Sequence, residues 1–183
     1  MEIETFEDAR AAISGGAPVE EVARTFVAAL TPEERLWCLD GDLPTWAGLG
    51  FLAEDGYHRA SCNGAEVDRV GLPGIRFSDG PRGAVVGNAT CFPVSMARGA
   101  TWDPDLEERV GEAIGRELRA VGANLTGAVC VNLLRHPAWG RAQETYGEDP
   151  HHVGELGAAL TRGLQRHVMA CVKHFACNSM ENA

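Results

Sequence analysis

Apolar positions in the first part of the chain recur at helical spacing. Phe6, Ala9, Ala12 and Ile13 make one short stripe, which Gly15-Gly16-Ala17-Pro18 breaks. Val19, Val22, Phe26, Ala29 and Leu30 make a second. Thr31-Pro32-Glu33-Glu34 predicts the start of a third helix, with Thr31 as N-cap, Pro32 at the first position and Glu34 closing a capping box. Residues 41–64 are glycine-rich and show no period, which predicts an irregular loop. Residues 1–68 are therefore expected to form a helical arm and a loop.

From Gly71 the pattern changes to strand, loop and helix. Short apolar runs place strands near residues 75, 96, 129 and 170, the one over Val94-Ser95-Met96-Ala97 being the weakest. Asp103-Pro104-Asp105 opens a helix with a cap, a first-position proline and a first-turn acid. Leu106, Val110, Ile114, Leu118 and Val121 carry its buried face, and Gly122 stops it. Asp149-Pro150 repeats the opening device, with Val153, Leu156, Leu160 and Leu164 as the apolar face. The strand runs do not alternate with polar residues, as expected of strands buried on both faces and separated by helices. The predicted class is α/β with a parallel sheet.

Charge narrows the function. Sixteen Lys+Arg stand against 26 Asp+Glu, a formal net charge of −10, which argues against non-specific nucleic-acid binding and docking on anionic lipid. No apolar run approaches the ~20 residues of a membrane span. The first residues, Met1-Glu2-Ile3-Glu4, are acidic where a secretion signal is basic, so a cytoplasmic location is expected. The six cysteines contain no Cys-x-x-Cys pair and are expected to be reduced, mostly buried thiols. His151-His152 are adjacent, so their rings point about 100° apart on a helix and suit a solvated helix start better than one metal ion. No metal or cofactor is expected.

The chemistry lies where strands end. Asp79 ends the first clear strand, Asn132 the third, with Arg135, Arg141 and Glu144 following it, and Lys173-His174 the fourth. In parallel α/β folds those ends form one rim. Asp79, Arg141, Lys173 and His174 are thus candidates to converge. An ionised aspartate only accepts hydrogen bonds, arginine and lysine only donate, and histidine does either. That set suits a ligand with vicinal hydroxyls, each of which both donates and accepts. A structural ion pair of Lys173 with a nearby acid is the other reading. Arg82 is expected to be a turn residue or a brace, Glu144 a partner of Arg141 or Lys173, and Asp149 a helix cap. No Gly-x-Ser-x-Gly elbow or phosphate loop occurs.

Several motifs, in order, resemble the N-terminal barrel domain of glycoside hydrolase family 3. They are Gly71-Leu-Pro-Gly-Ile-Arg-Phe-Ser-Asp79-Gly-Pro-Arg-Gly83, then Phe92-Pro93 and Gly99-Ala-Thr-Trp-Asp-Pro104. Asn132-Leu-Leu-Arg135-His-Pro-Ala-Trp-Gly-Arg141-Ala-Gln-Glu144-Thr-Tyr-Gly-Glu-Asp-Pro150 and Cys171-Val-Lys173-His174-Phe175-Ala-Cys-Asn178 follow. The resemblance implies a TIM-type (β/α) barrel, about four of whose strands lie within residues 69–183. It implies that Asp79, Arg141, Lys173 and His174 hold the sugar of the −1 subsite, with Arg82, Arg135 and Glu144 behind them. The implied reaction is retaining hydrolysis of terminal β-D-glucosyl or β-xylosyl residues, from a glucoside, xyloside or oligosaccharide, by two carboxyl groups ~5–5.5 Å apart. Lys173-His174-Phe175 is not followed by the Pro-Gly-His-Gly of the acetylglucosaminidase branch, which favours the glucosidase/xylosidase form. The family's nucleophile is an aspartate followed by tryptophan, and no Asp-Trp occurs here. The 183 residues are therefore expected to be the sugar-binding, N-terminal part of such an enzyme, inactive alone. The alternative is a non-catalytic sugar-binding or remnant half-barrel.

Overall fold

The structure, a computed structural model, describes residues 2–40, 50–51, 53–54 and 56–180. The chain divides into two compact units, Met1–Glu54 with Cys62–Ile75, and Asp55–Ser61 with Arg76–Ala183. The predicted class holds: helices alternate with strands in a four-stranded sheet ordered β1-β2-β3-β4.

The first unit holds α1 (Phe6–Ser14), α2 (Val19–Ala29), α3 (Pro32–Trp37), β1 (Cys62–Val67) and the start of β2 (Leu72–Phe77). The two apolar stripes explain its core, in which Val22, Phe26 and Leu30 pack with Ile3, Val67 and Val70. The capping box predicted at Thr31 is present, with Thr31 Oγ1 accepting from Glu34 N and Glu34 accepting from Thr31 N. A second one, Thr5 with Asp8, starts α1. Trp37 Nε1 donates to Glu66 O at 2.8 Å, tying α3 to β1.

β1 corrects the sequence reading. It begins inside the expected irregular loop, whose residues 41–49 lie outside those described. Asn63-Gly64 looks like a turn, but the glycines mark a close crossing of two strands. A Cβ on Gly74, which has φ +69°, would lie 2.6 Å from Gly64 O. Glycine is required there by contact as well as by conformation.

The second unit contains α4 (Gly56–Arg59), the end of β2, α5 (Ser95–Gly99), α6 (Pro104–Ala120), β3 (Leu125–Cys130), α7 (Pro150–Leu164) and β4 (Met169–Lys173). β3 runs parallel to β2, with Phe77 opposite Leu125, and β4 runs parallel to β3. Asp103 and Asp149 cap α6 and α7 as expected. Ile114, Leu118, Leu156, Leu160 and Leu164 are fully buried and form the core with Val129. The two helices approach closely because their contact surface is glycine. A Cβ on Gly111 would meet Leu160 O at 2.5 Å, and one on Gly163 would meet Glu108 O at 2.1 Å.

Three further expectations are corrected. Val94-Ser95-Met96-Ala97 is not a strand: Ser95–Gly99 is helical, which carries Arg98 inward to a buried partner, Glu107. Of the described strands only β3 is buried along nearly its whole length, whereas β2, though also internal to the sheet, exposes Pro73 and Ile75, and β4 leaves Met169 and Val172 exposed. The thiols are all free, but only Cys130 is buried; Cys38 and Cys62 are half-buried and Cys91, Cys171 and Cys177 exposed. Cys171 sits on that outer strand, and Cys91 and Cys177 lie on connecting segments. Among the described residues no helix is long and apolar enough to cross a membrane.

The arm carries a titratable tie. Arg69 donates to both carboxylate oxygens of Glu34, at 2.7 and 2.6 Å. Those bonds, with that of the Thr31 N–H, hold the Glu34 carboxyl down at about 2 against an ordinary 4.5. A depressed carboxylate stabilises the fold above its unfolded pKa and loses that contribution as pH falls through the folded one. The unfolding midpoint of Glu34→Gln is therefore expected to fall below wild type at neutral pH, the gap closing between about pH 5 and pH 2. A gap that stays constant down to about pH 2 would contradict the tie.

Candidate functional site

The parallel strands β2, β3 and β4 deliver three polar segments to one rim of the second unit. Asp79 lies two residues past β2, Asn132 two past β3, and Lys173 is the last residue of β4, followed by His174. Lys173 Nζ donates to both Asp79 oxygens, at 3.0 and 3.1 Å, across 94 residues of sequence. Gly80 N also donates to Asp79 Oδ1 at 2.9 Å. The two side chains keep 15% and 21% of their exposure, shielded enough to strengthen the pair and open enough for a ligand. Gly127 of β3 makes the meeting possible: a Cβ there would lie 3.1 Å from Asp79 Oδ1 and 3.4 Å from Lys173 Nζ.

Arg141 and His174 form the second half of the rim. Arg141 grips Glu144 with two parallel bonds, Nε to Oε1 at 2.8 Å and Nη2 to Oε2 at 2.6 Å. Its Nη1 lies 2.8 Å from His174 Nε2. The Asn132 Oδ1 accepts from the His174 backbone N–H at 3.0 Å and lies 2.7 Å from His174 Nδ1. A guanidinium only donates and an amide oxygen only accepts, so both contacts are satisfied by one form of the ring, Nδ1–H with Nε2 as acceptor. The peptide between Lys173 and His174 is cis.

The electrostatics keep Glu144 ionised and the Cys130 thiol neutral. Burial pushes the Glu144 carboxyl up, but the bonds and charge of Arg141, with Cys130 and Lys173, outweigh it and hold it below its ordinary value. Cys130, which donates to Glu144 at 3.4 Å, is pushed up to about 12, chiefly by burial. It stays a thiol and is no nucleophile at neutral pH.

A cleft of about 220 Å³ opens beside these groups, lined by Tyr57, Asp79, Arg82, Arg141, Gln143 and Glu144 among others. A larger recess, about 610 Å³, lies at the opposite ends of β3 and β4, around Asn124 and Met169. It is shallow and remote from the converging charges. The structure thus brings together Asp79, Lys173, Arg141, His174 and Glu144. Arg82 is exposed on the cleft wall and donates to Cys91 Sγ at 3.1 Å. Arg135 is exposed and makes none of the rim's bonds. His152, expected to be solvated, is half-buried with Nε2 3.0 Å from Gly99 O and its ring on Trp102. Sequence reasoning missed Tyr57, Gln143 and Gly127 and gave Asn132 no role. Of these only Asn132 carries a signal, an amide directly after a fully apolar strand.

Comparison with known proteins supplies the family. The family model of the glycosyl hydrolase family 3 N terminal domain matches residues 58–182. The chain belongs to that family. It is 40% identical over 126 residues to the probable beta-glucosidase I of Emericella nidulans, covering 64% of this chain and 15% of that protein. It is 41% identical over 123 residues to the beta-glucosidase of Rhizobium radiobacter, covering 63% and 15%. Among solved structures, beta-glucosidase 3B from Thermotoga neapolitana in complex with alpha-D-glucose matches with a TM-score of 0.74 at 34% identity, covering 84% of this chain and 23% of that one. The chain thus spans about 15% of the length of these curated relatives.

The tautomer is directly measurable. Nitrogen-15 NMR at neutral pH is expected to show His174 with a protonated Nδ1 and a bare Nε2. The opposite assignment would contradict the Asn132–His174–Arg141 arrangement.

Proposed function

We propose that this chain forms the sugar-binding part of a retaining glycosidase site that accepts a terminal, non-reducing β-D-glucosyl residue or the related β-xylosyl residue. The observation that carries this reading is the Asp79–Lys173 ion pair beside the Arg141–His174 contact, at the carboxyl ends of parallel strands and next to an open cleft. Its support is that an ionised acid can accept from one sugar hydroxyl while an adjacent cation donates to the next, which fixes a ring with vicinal hydroxyls. The names of the matched relatives, beta-glucosidases in both cases, favour the glucose form.

In this reading residues 69–183 are the opening part of a (β/α) barrel, preceded by the helical arm of residues 1–68. Three parallel strands with helices between them support that. Asp79, Arg141, Lys173 and His174 hold the sugar, and Glu144 holds Arg141. Arg82 borders the subsite from the cleft wall, and Arg135 lies outside it.

In this reading binding is separate from bond cleavage. Retaining hydrolysis needs a nucleophilic carboxylate and an acid/base carboxyl ~5–5.5 Å apart. Asp79 is held by Lys173 and Gly80 N, and Glu144 is forked by Arg141. Neither is free to attack, so the two working carboxyl groups are supplied from outside these residues. The chain's own residues bind and orient the sugar, and their charges are arranged before it arrives, so little reorganisation is needed.

Calorimetric titration of the chain with glucose or the iminosugar isofagomine tests the reading. Saturable binding is expected, weakened about tenfold or more in both Asp79→Ala and Lys173→Ala, since each removes a charged hydrogen-bond partner. Binding that survives both substitutions undiminished would overturn the assignment.

A further inference from the structure

The two segments that carry the rim are mostly irregular, with one short 3-10 turn, Ala142–Glu144, in the second. Asp79 and Arg82 lie between β2 and α5, and Arg141 and Glu144 lie between β3 and α7. Two loops on different strands need something to hold their spacing, because bidentate and charge-paired contacts to a small ligand are sensitive to displacement.

A buried network spans them. Arg98, at the end of α5, is 4% exposed, and Glu107, in the first turns of α6, is 1% exposed. Arg98 Nε donates to Glu107 Oε2 at 2.8 Å, and Nη2 donates to Oε1 at 3.0 Å. The same Nη2 donates to Pro81 O at 3.1 Å, two residues from Asp79. On the far side, Tyr146 Oη donates to Glu107 Oε1 at 2.6 Å, two residues from Glu144. Burial first, then the negative charge of Glu107, keeps the Tyr146 hydroxyl protonated and therefore a donor. Arg98 and Glu107 thus form a two-residue link from the Asp79 loop to the Arg141 loop.

The packing leaves little slack in that link. Gly99 follows Arg98, and a Cβ there would lie 2.7 Å from Tyr146 O. Thr145 Oγ1 donates to Asn132 O, and Asn132 in turn bonds His174. A buried ion pair is weak evidence of stability, because desolvation offsets most of its attraction and apolar side chains of similar volume often serve as well. Charged groups in this position have a use that apolar ones lack. They bond specific loop atoms, Pro81 O and Tyr146 Oη, in a fixed direction.

We infer that Arg98, Glu107 and Tyr146 are positioning residues of the sugar site, setting the separation between Asp79 and the Arg141–Glu144 pair. They touch no ligand themselves. The inference rests on the sugar-binding reading above.

The test separates affinity from stability. In Tyr146→Phe one hydroxyl is lost and the ring kept. Titration of the full chain with isofagomine is expected to show affinity weakened about tenfold, at a temperature where thermal melting shows the variant fully folded. A residue that only stabilises the fold would lower the melting temperature and leave the affinity of folded protein unchanged, and that outcome would overturn the inference. Asp79→Ala, in parallel, is expected to lose binding. If wild type does not bind at all, the sugar-binding reading fails and takes this inference with it. If wild type binds, Asp79→Ala does not, and Tyr146→Phe binds like wild type, only the positioning role fails. A wild-type measurement covers the case of a misfolded variant. Binding at the rim is expected to slow solvent exchange of the Arg98 Nε–H seen by NMR, and unchanged exchange under saturating isofagomine would count against the link.

Discussion

The ion pair between Asp79 and Lys173 is the constraint around which the rim is arranged. Each charge sits at the end of a different strand, mostly shielded from water, where an unpaired charge is costly. They meet across β3, and that is possible only because β3 offers Gly127 under the contact. The pair therefore depends on the parallel register that brings β2, β3 and β4 to one edge, and on a missing side chain in the middle strand. The α6–α7 core supports that register from one face, and its glycine contacts let the two helices close over the sheet.

Around the pair the groups are arranged in directed couples. Asn132 fixes the His174 ring, His174 accepts from Arg141, and Arg141 is forked by Glu144. Each member has its hydrogen-bonding direction set by a neighbour that can act in only one sense. This leaves acceptors and donors fixed beside an open cleft, the condition for binding a polyhydroxylated ring without first rearranging the site. In the proposed reading the rim binds the sugar and does not attack it, because its two carboxylates are already engaged.

Much of this was legible in the sequence because it rests on local rules. Thr31, Asp103 and Asp149 announce their helices by capping chemistry, and the apolar periods of α6 and α7 identify the core they build. The convergence of Asp79, Arg141, Lys173 and His174 followed from one topological rule about parallel strands. What escaped was set by tertiary contact. Gly64 and Gly127 look like loop or weak-strand residues until the backbone or charge lying against them is known. Ser95–Gly99 has strand-like neighbours in sequence but turns helical around the buried Arg98–Glu107 pair. Tyr57 reaches the cleft from a segment that sequence order assigns to the arm. The exposure of β4 and its Cys171 depends on which strand lies outermost in the sheet, and periodicity does not carry that information.

The central claim is that Asp79 and Lys173 together grip adjacent hydroxyls of one sugar ring. A crystal structure with glucose bound tests it most directly. The account predicts the ring in the cleft beside Asp79, with neighbouring hydroxyls within hydrogen-bond distance of the Asp79 carboxylate and of Lys173 Nζ, and Arg141 still forked to Glu144. Glucose bound elsewhere, or an Asp79–Lys173 pair that stays closed with no sugar oxygen on either group, would contradict it.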